Sequence, residues 1–239
     1  MTKYLIGLLA AVLAVGCTTR SISNSDYRGG YYRGYNYGYG GELSELEVLG
    51  VTANPNITEQ DIKDALSEEK KISLKRGDRV VVVQSGALFP DEPLLSELKP
   101  LYSVVPLSGV PFRGQGEDVK KQPLDKPLRL AAAKSGAKTM IVYWGILESG
   151  RIKQGAKIIS WVPIIGKAIP DEKQKMRIRL KAAVIDVETG AWEFIMPEAY
   201  GDTATSSRQE REQKDQGQVA RLKVKGYKAL AKALTTRYQ

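Results

Sequence analysis

The sequence predicts an α/β fold: a mixed sheet of about five strands with helices packed on it and a helix at the C-terminus. Three observations predict it. Val80-Val81-Val82-Val83 is an unbroken β-branched run, which suits a strand buried on both faces as in parallel sheets. Between residues 79 and 147, strand-like apolar runs alternate with helix-like ones. After that the pattern becomes an alternating hairpin followed by a stretch of helical period. A cleaved signal peptide (1–16) and a lipidated tether with a flexible stalk (17–41) are expected to precede this single domain (42–239).

The N-terminal expectation rests on Leu13-Ala14-Val15-Gly16-Cys17. Lys3 opens the chain with one positive charge, and Leu5 to Val15 is an apolar run too short to span a bilayer as a helix. The pentapeptide resembles the bacterial lipobox, with Ala14 where a branched residue is usual. Cys17 is the one cysteine of the chain and the expected lipidation site. Several acyl chains, each contributing about 0.8 kcal/mol per buried methylene, make a stable membrane anchor. Thr18 rather than an aspartate follows the cysteine, which by the sorting habit of lipoproteins implies the outer membrane, facing the periplasm.

Thr18 to Ser25 reads as a small polar tether. In Tyr27 to Gly41, six of fifteen residues are tyrosine and six are glycine. Two readings stand for it. Tyr27, Tyr31, Tyr32, Tyr35, Tyr37 and Tyr39, with Arg28 and Arg33, could form an adhesive stalk through stacking and cation–π contacts. More ordinarily, the stretch is a spacer lifting the domain off the membrane.

From Glu42 the composition is globular. Thr58 with Asp61 three residues on reads as a capping box opening a helix that ends near Lys70. Arg79 to Gln84 is the first strand, Leu94 to Leu98 a short helix, and Leu101 to Leu107 a second strand, giving a βαβ unit. Lys126 to Ser135 is a helix ended by Gly136, and Lys138 to Leu147 is the central strand, with Gly145 marking a bulge.

Residues 148–175 show no long strand or helix. Within them, Trp161, Ile164 and Ile165 belong to a strongly apolar stretch flanked by lysines. It reads either as an exposed tip that contacts a partner or membrane, or as a segment folded back over the sheet edge or core. Met176 to Val187 and Ala191 to Pro197 form a hairpin about Glu188-Thr189-Gly190. Asp186 and Glu188 are explained by turn chemistry. Gly201 to Gln218 reads as loop, and Val219 to Tyr238 as a closing helix with a basic face. That face suits either the helix dipole or an anionic envelope polymer.

Composition narrows function. The chain has 36 Lys and Arg against 27 Asp and Glu, a net charge of +9, and no histidine. Without histidine, and with its cysteine expected to be acylated, the chain lacks the parts of Ser-His-Asp, Cys-His and His or Cys zinc sites. No catalytic, cofactor or metal residues are assigned, and an enzyme is not expected. In an envelope compartment the basic charge points to anionic envelope components rather than nucleic acid.

Two stretches carry a resemblance: Leu128 to Leu147, an Ala-rich helix leading into an apolar strand, and Ala182 to Gly190, a strand ending in a Thr-Gly turn. Together they resemble the envelope lipoprotein domains of the curli-secretion channel subunit, the penicillin-binding-protein activator lipoprotein B and the TolB amino-terminal domain, over about residues 55–236. The resemblance implies a non-catalytic docking or assembly module whose partner is an envelope protein or peptidoglycan, with a homo-oligomer as a further candidate. The alternatives are a subunit of an oligomeric outer-membrane export channel and a cell-wall-acting enzyme. Two long alternating insertions, which a channel subunit needs, are not read in 148–175.

Overall fold

The computed structural model describes residues 20–24, 41–51, 57–67, 72–111, 123–152, 159–163, 173–205 and 211–239. Cys17, the stretch from Tyr27 to Tyr39, and Ile164 and Ile165 lie outside them. The elements are α1 (Glu45–Val48), α2 (Glu59–Ser67), β1 (Arg79–Gln84), α3 (Glu92–Leu98), β2 (Ser103–Leu107), α4 (Asp125–Lys134), β3 (Thr139–Ile152), β4 (Ile159–Pro163), β5 (Lys173–Asp186), β6 (Trp192–Ile195), β7 (Tyr200–Thr205) and α5 (Arg211–Tyr238).

All seven strands form one mixed sheet in the order β2-β1-β3-β5-β6, with β4 also on β3 and β7 also on β5. β1 pairs in parallel with both β2 and β3, and the other pairs are antiparallel. The two long strands, β3 and β5, pair continuously from Thr139↔Asp186 to Gly150↔Lys175. Shorter segments line their outer edges. Along β3 lie β1, then residues 20–24, then β4. Along β5 lie β6 and β7.

Alternation along the strands feeds two cores. Ile141, Tyr143 and Leu147 of β3, with Met176, Ile178 and Leu180 of β5, pack under α3 and α5. Met140, Val142 and Trp144, with Ala183 and Ile185, pack under α1 and α4. The four valines of β1 serve both cores and are fully buried, each contributing about 1.5–3 kcal/mol. β2 is the sheet's edge, where Pro106 costs no central hydrogen bond.

The structure departs from the sequence reading at five places. β3 runs on to Ile152 and β5 starts at Lys173, so the region read as irregular carries paired strands. The signal was hidden because Glu148, Ser149 and Gly150 are polar or small; the sheet tolerates them by pairing the Glu148 carboxylate with arginines. Of the stretch read as loop, Tyr200 to Thr205 is a strand and Arg211 to Gln218 already belongs to the closing helix.

Gly145 is not a bulge, since its ladder with Leu180 is unbroken. It is a close approach: a Cβ there would lie 2.6 Å from a Leu180 methyl and 2.8 Å from Ile22. Residues 20–24, expected in the free tether, are docked on the sheet, with Ile22 in the core. Finally, α2 has the expected capping box, Thr58 N–H donating to Asp61 and Asp61 N–H to Thr58. Its apolar residues Ile57, Ile62 and Leu66 are nonetheless exposed.

Candidate functional site

In an open α/β sheet, ligands bind beyond the carboxyl ends of parallel strands, where successive connections leave in opposite directions. Here that point lies between β1 and β3: the chain goes from β1 to β2 on one side, then to β3 on the other. Gln84 ends β1 there and Ser85 follows it, and both are buried. Buried polar groups need partners, and these have them.

Residues 20–24 lie across the crevice, beside a cavity lined by Ser21, Leu43, Trp144, Gly145 and Ile146. The Ile22 amide donates to the Gly145 carbonyl and the Leu147 amide to the Arg20 carbonyl, each at 3.0 Å. Gln84 Nε2 donates to Ser23 Oγ at 2.9 Å, and Ser23 Oγ donates to the Ser85 carbonyl. Ser85 Oγ accepts from the Leu43 amide at 2.7 Å. Ser23 and Leu43, which flank the Tyr/Gly stretch, are therefore both fixed on Ser85.

A second layer closes the crevice from α3 and α5. Tyr143 donates to Gln84 Oε1, which also accepts the Asp91 amide at 2.7 Å. Asp91 Oδ2 accepts from Tyr227 and sits 2.8 Å from Lys223 Nζ. The rings of Tyr143 and Tyr227 meet edge to face, 5.9 Å apart. Burial pushes both phenols well above their ordinary pKa, with the neighbouring Asp91 charge adding to it. Both therefore stay protonated and act as donors. The arrangement fixes a carboxylate between an ammonium and a phenol and orients an extended backbone.

The sequence reading missed this cluster. Two signals for it exist in the sequence: Gln84 closes a fully apolar run, and Lys223 sits four residues from both Val219 and Tyr227, on the helix's apolar face. Lys223 is buried, so it leaves the basic face proposed for the last helix. Other cations of that helix pin it to the sheet. Arg221 pairs with Asp202, Lys225 contacts Tyr200, and Arg237 pairs with Glu193.

Trp161 lies on the outer half of the sheet. It stands on β4 opposite Gly150, half-buried and outside both cores. The Arg177 guanidinium stacks 4.4 Å from its ring, and Gly201 lies 3.8 Å from its far edge, measured to an added Cβ. Arg177 also pairs with Glu148, which Arg179 contacts at 3.4 Å. Of the two readings for this segment, its described part lies on the edge of β3. Trp161→Glu is expected to lower the thermal midpoint by no more than about 4 °C, because the new carboxylate meets Arg177 and no core cavity opens. A larger shift in a melting curve would show a core role.

Asp186 serves its turn, accepting the Thr189 amide at 2.7 Å and hydroxyl at 2.8 Å. Among the described residues, no cluster of three His, Cys, Asp or Glu side chains could hold a metal ion, and no helix is long and apolar enough to cross a membrane.

The model of the YafT bacterial lipoprotein family matches residues 44–237, nearly the whole α/β domain. The chain belongs to the YafT bacterial lipoprotein family. That membership places it in the bacterial envelope. Two solved structures of PelC dodecamers from Paraburkholderia phytofirmans are similar to this YafT-family chain. One, a point variant, is 18% identical and covers 65% of this chain and 92% of its own, with a TM-score of 0.28. The other is 15% identical and covers 68% and 94%, with a TM-score of 0.28. The likeness is distant. No curated protein matches the YafT-family chain.

Proposed function

We propose that the protein is anchored by acylated Cys17 in the outer membrane and works, on the periplasmic face, as a non-catalytic docking or assembly module of the envelope. Its partner is an envelope protein or peptidoglycan. Family membership supports the lipoprotein reading. The non-catalytic reading is carried by one observation: the chain's own residues 20–24 occupy the position at the crevice where α/β proteins bind small molecules. The resemblance to curli-secretion, penicillin-binding-protein activator and TolB domains agrees with it.

The outer half of the sheet does not favour a channel subunit. Leu147, Met176 and Ile178 of its one face are buried in the core beneath α5, while the other carries Glu148, Arg177 and Arg179. A lipid-facing barrel strand needs an apolar outward row.

The test is the mass of the full-length protein extracted in mild detergent. Mass spectrometry should find a chain beginning at Cys17 and carrying acyl groups, all lost in Cys17→Ala. Light scattering should find a monomer or small assembly carrying a distinct envelope component. A large ring of this chain alone would favour the export channel instead.

A further inference from the structure

We propose that residues 20–24 are a docking strand that clamps the domain flush against the lipid surface, with the β3–β4 side of the sheet toward phospholipid headgroups. The proposal rests on acylation of Cys17, as put forward above, but its own observation is independent of that reading. The chain is fixed in the sheet from Arg20 onward. Arg20, Ser21 and Ile22 are buried, Ser21 bridges Ile146, and the Arg20 carbonyl accepts from Leu147.

Three residue steps separate Cys17 from Arg20. A fully extended chain covers at most about 3.6 Å per step, so the acylated residue lies within about 11 Å of the sheet edge. Anchored there, the domain has no room to stand off from the headgroup layer.

Register says which side faces the lipid. Arg20 lies beside Leu147, and the next residues of β3, Glu148 to Ile152, are already paired with β4. The chain must therefore leave the sheet beside Pro163, the partner of Glu148. This brings the anchor to the half of the sheet that carries Trp161. A half-buried tryptophan suits a headgroup layer: its amphipathic ring sits at the interface, with one face covered by Arg177, which Glu148 holds in place.

The same geometry separates the length of the Tyr/Gly stretch from the distance between lipid and domain. Ser23 and Leu43, on either side of the Tyr/Gly stretch in the sequence, both bond Ser85. The length between them therefore does not set that distance.

Two insertions of the same twenty-residue Gly/Ser segment separate these cases, one after Thr19 and one after Arg33. The acylated full-length protein is reconstituted into phosphatidylethanolamine–phosphatidylglycerol vesicles carrying a rhodamine headgroup acceptor. A donor dye is placed on Lys228→Cys in α5. The insertion after Arg33 should leave energy transfer unchanged. The insertion after Thr19, which adds a reach of about 25 Å, should cut it at least twofold. Equal losses from the two insertions overturn the docking strand. A dye on Trp161→Cys should transfer more strongly than one on Lys228→Cys, and the reverse order overturns the orientation. Intact mass is read first: a chain without acyl groups overturns the anchor and this proposal with it. An acylated chain whose insertions behave alike overturns the docking strand alone.

Discussion

Gly109→Ala is expected to destabilise the protein by about 3 kcal/mol or more, the upper end of overpacking effects. A Cβ at Gly109 would lie 2.0 Å from the Gln84 carbonyl oxygen and 2.7 Å from its carbon. Side chains can yield to such a contact more easily than a strand end and a loop whose backbones are tied by hydrogen bonds. Gly109 is tied on both sides, its amide donating to Ala87 and its carbonyl accepting from Gly86, each at 2.9 Å. Relief requires moving the end of β1, and that end carries Gln84, which binds Ser23, Tyr143 and Asp91. The variant should therefore also loosen residues 20–24. Urea unfolding reads the stability, and hydrogen exchange at the Ile22 amide reads the release. A loss below about 1 kcal/mol would mean that the loop carrying Gly109 moves away without cost.

How much of this was legible depended on whether local pattern and tertiary role agreed. They agreed for β1, where four valines need burial on both faces and receive it, and for the Asp186–Gly190 turn, whose residues bond one another. The central place of β3 followed from the same reasoning. They disagreed where a strand is polar on one face. Glu148-Ser149-Gly150 ends an apolar run, yet the strand continues because Arg177 and Arg179 meet the carboxylate from β5. That pairing spans about thirty residues and has no local signature.

Residues 20–24 show the limit most plainly. Arg20-Ser21-Ile22-Ser23 has the composition of a tether, and only the missing side chain of Gly145 makes room for Ile22. The candidate site had weak signals of its own. Lys223 at core spacing could have been read as a buried cation awaiting a carboxylate, but nothing near it in sequence names Asp91.

Lys223→Met is expected to cost about 3 kcal/mol in urea unfolding. The lysine side chain is 3% exposed, and its Nζ lies 2.8 Å from Asp91 Oδ2. Removing one partner of a buried pair costs about 3–5 kcal/mol because the other charge is stranded. Asp91, 24% exposed, keeps some water, which puts the effect at the lower end. Lys223→Met combined with Asp91→Asn should recover part of the loss, since a neutral amide still accepts the Tyr227 proton. Additive losses would show that the two side chains do not act as a pair.

The same cluster sets an alkaline limit. Burial holds the Tyr143 and Tyr227 hydroxyls well above 10, and the charges of their neighbours push the same way. Their contribution to stability is complete below pH 10, the unfolded value. Above it, the unfolded chain releases these protons while the folded chain keeps them. Each phenol then weakens folding about tenfold per pH unit until its folded value is reached. Tyr143→Phe and Tyr227→Phe should each flatten the fall in stability between pH 10 and 11. A slope equal to that of the parent in both variants would place the ionising groups elsewhere.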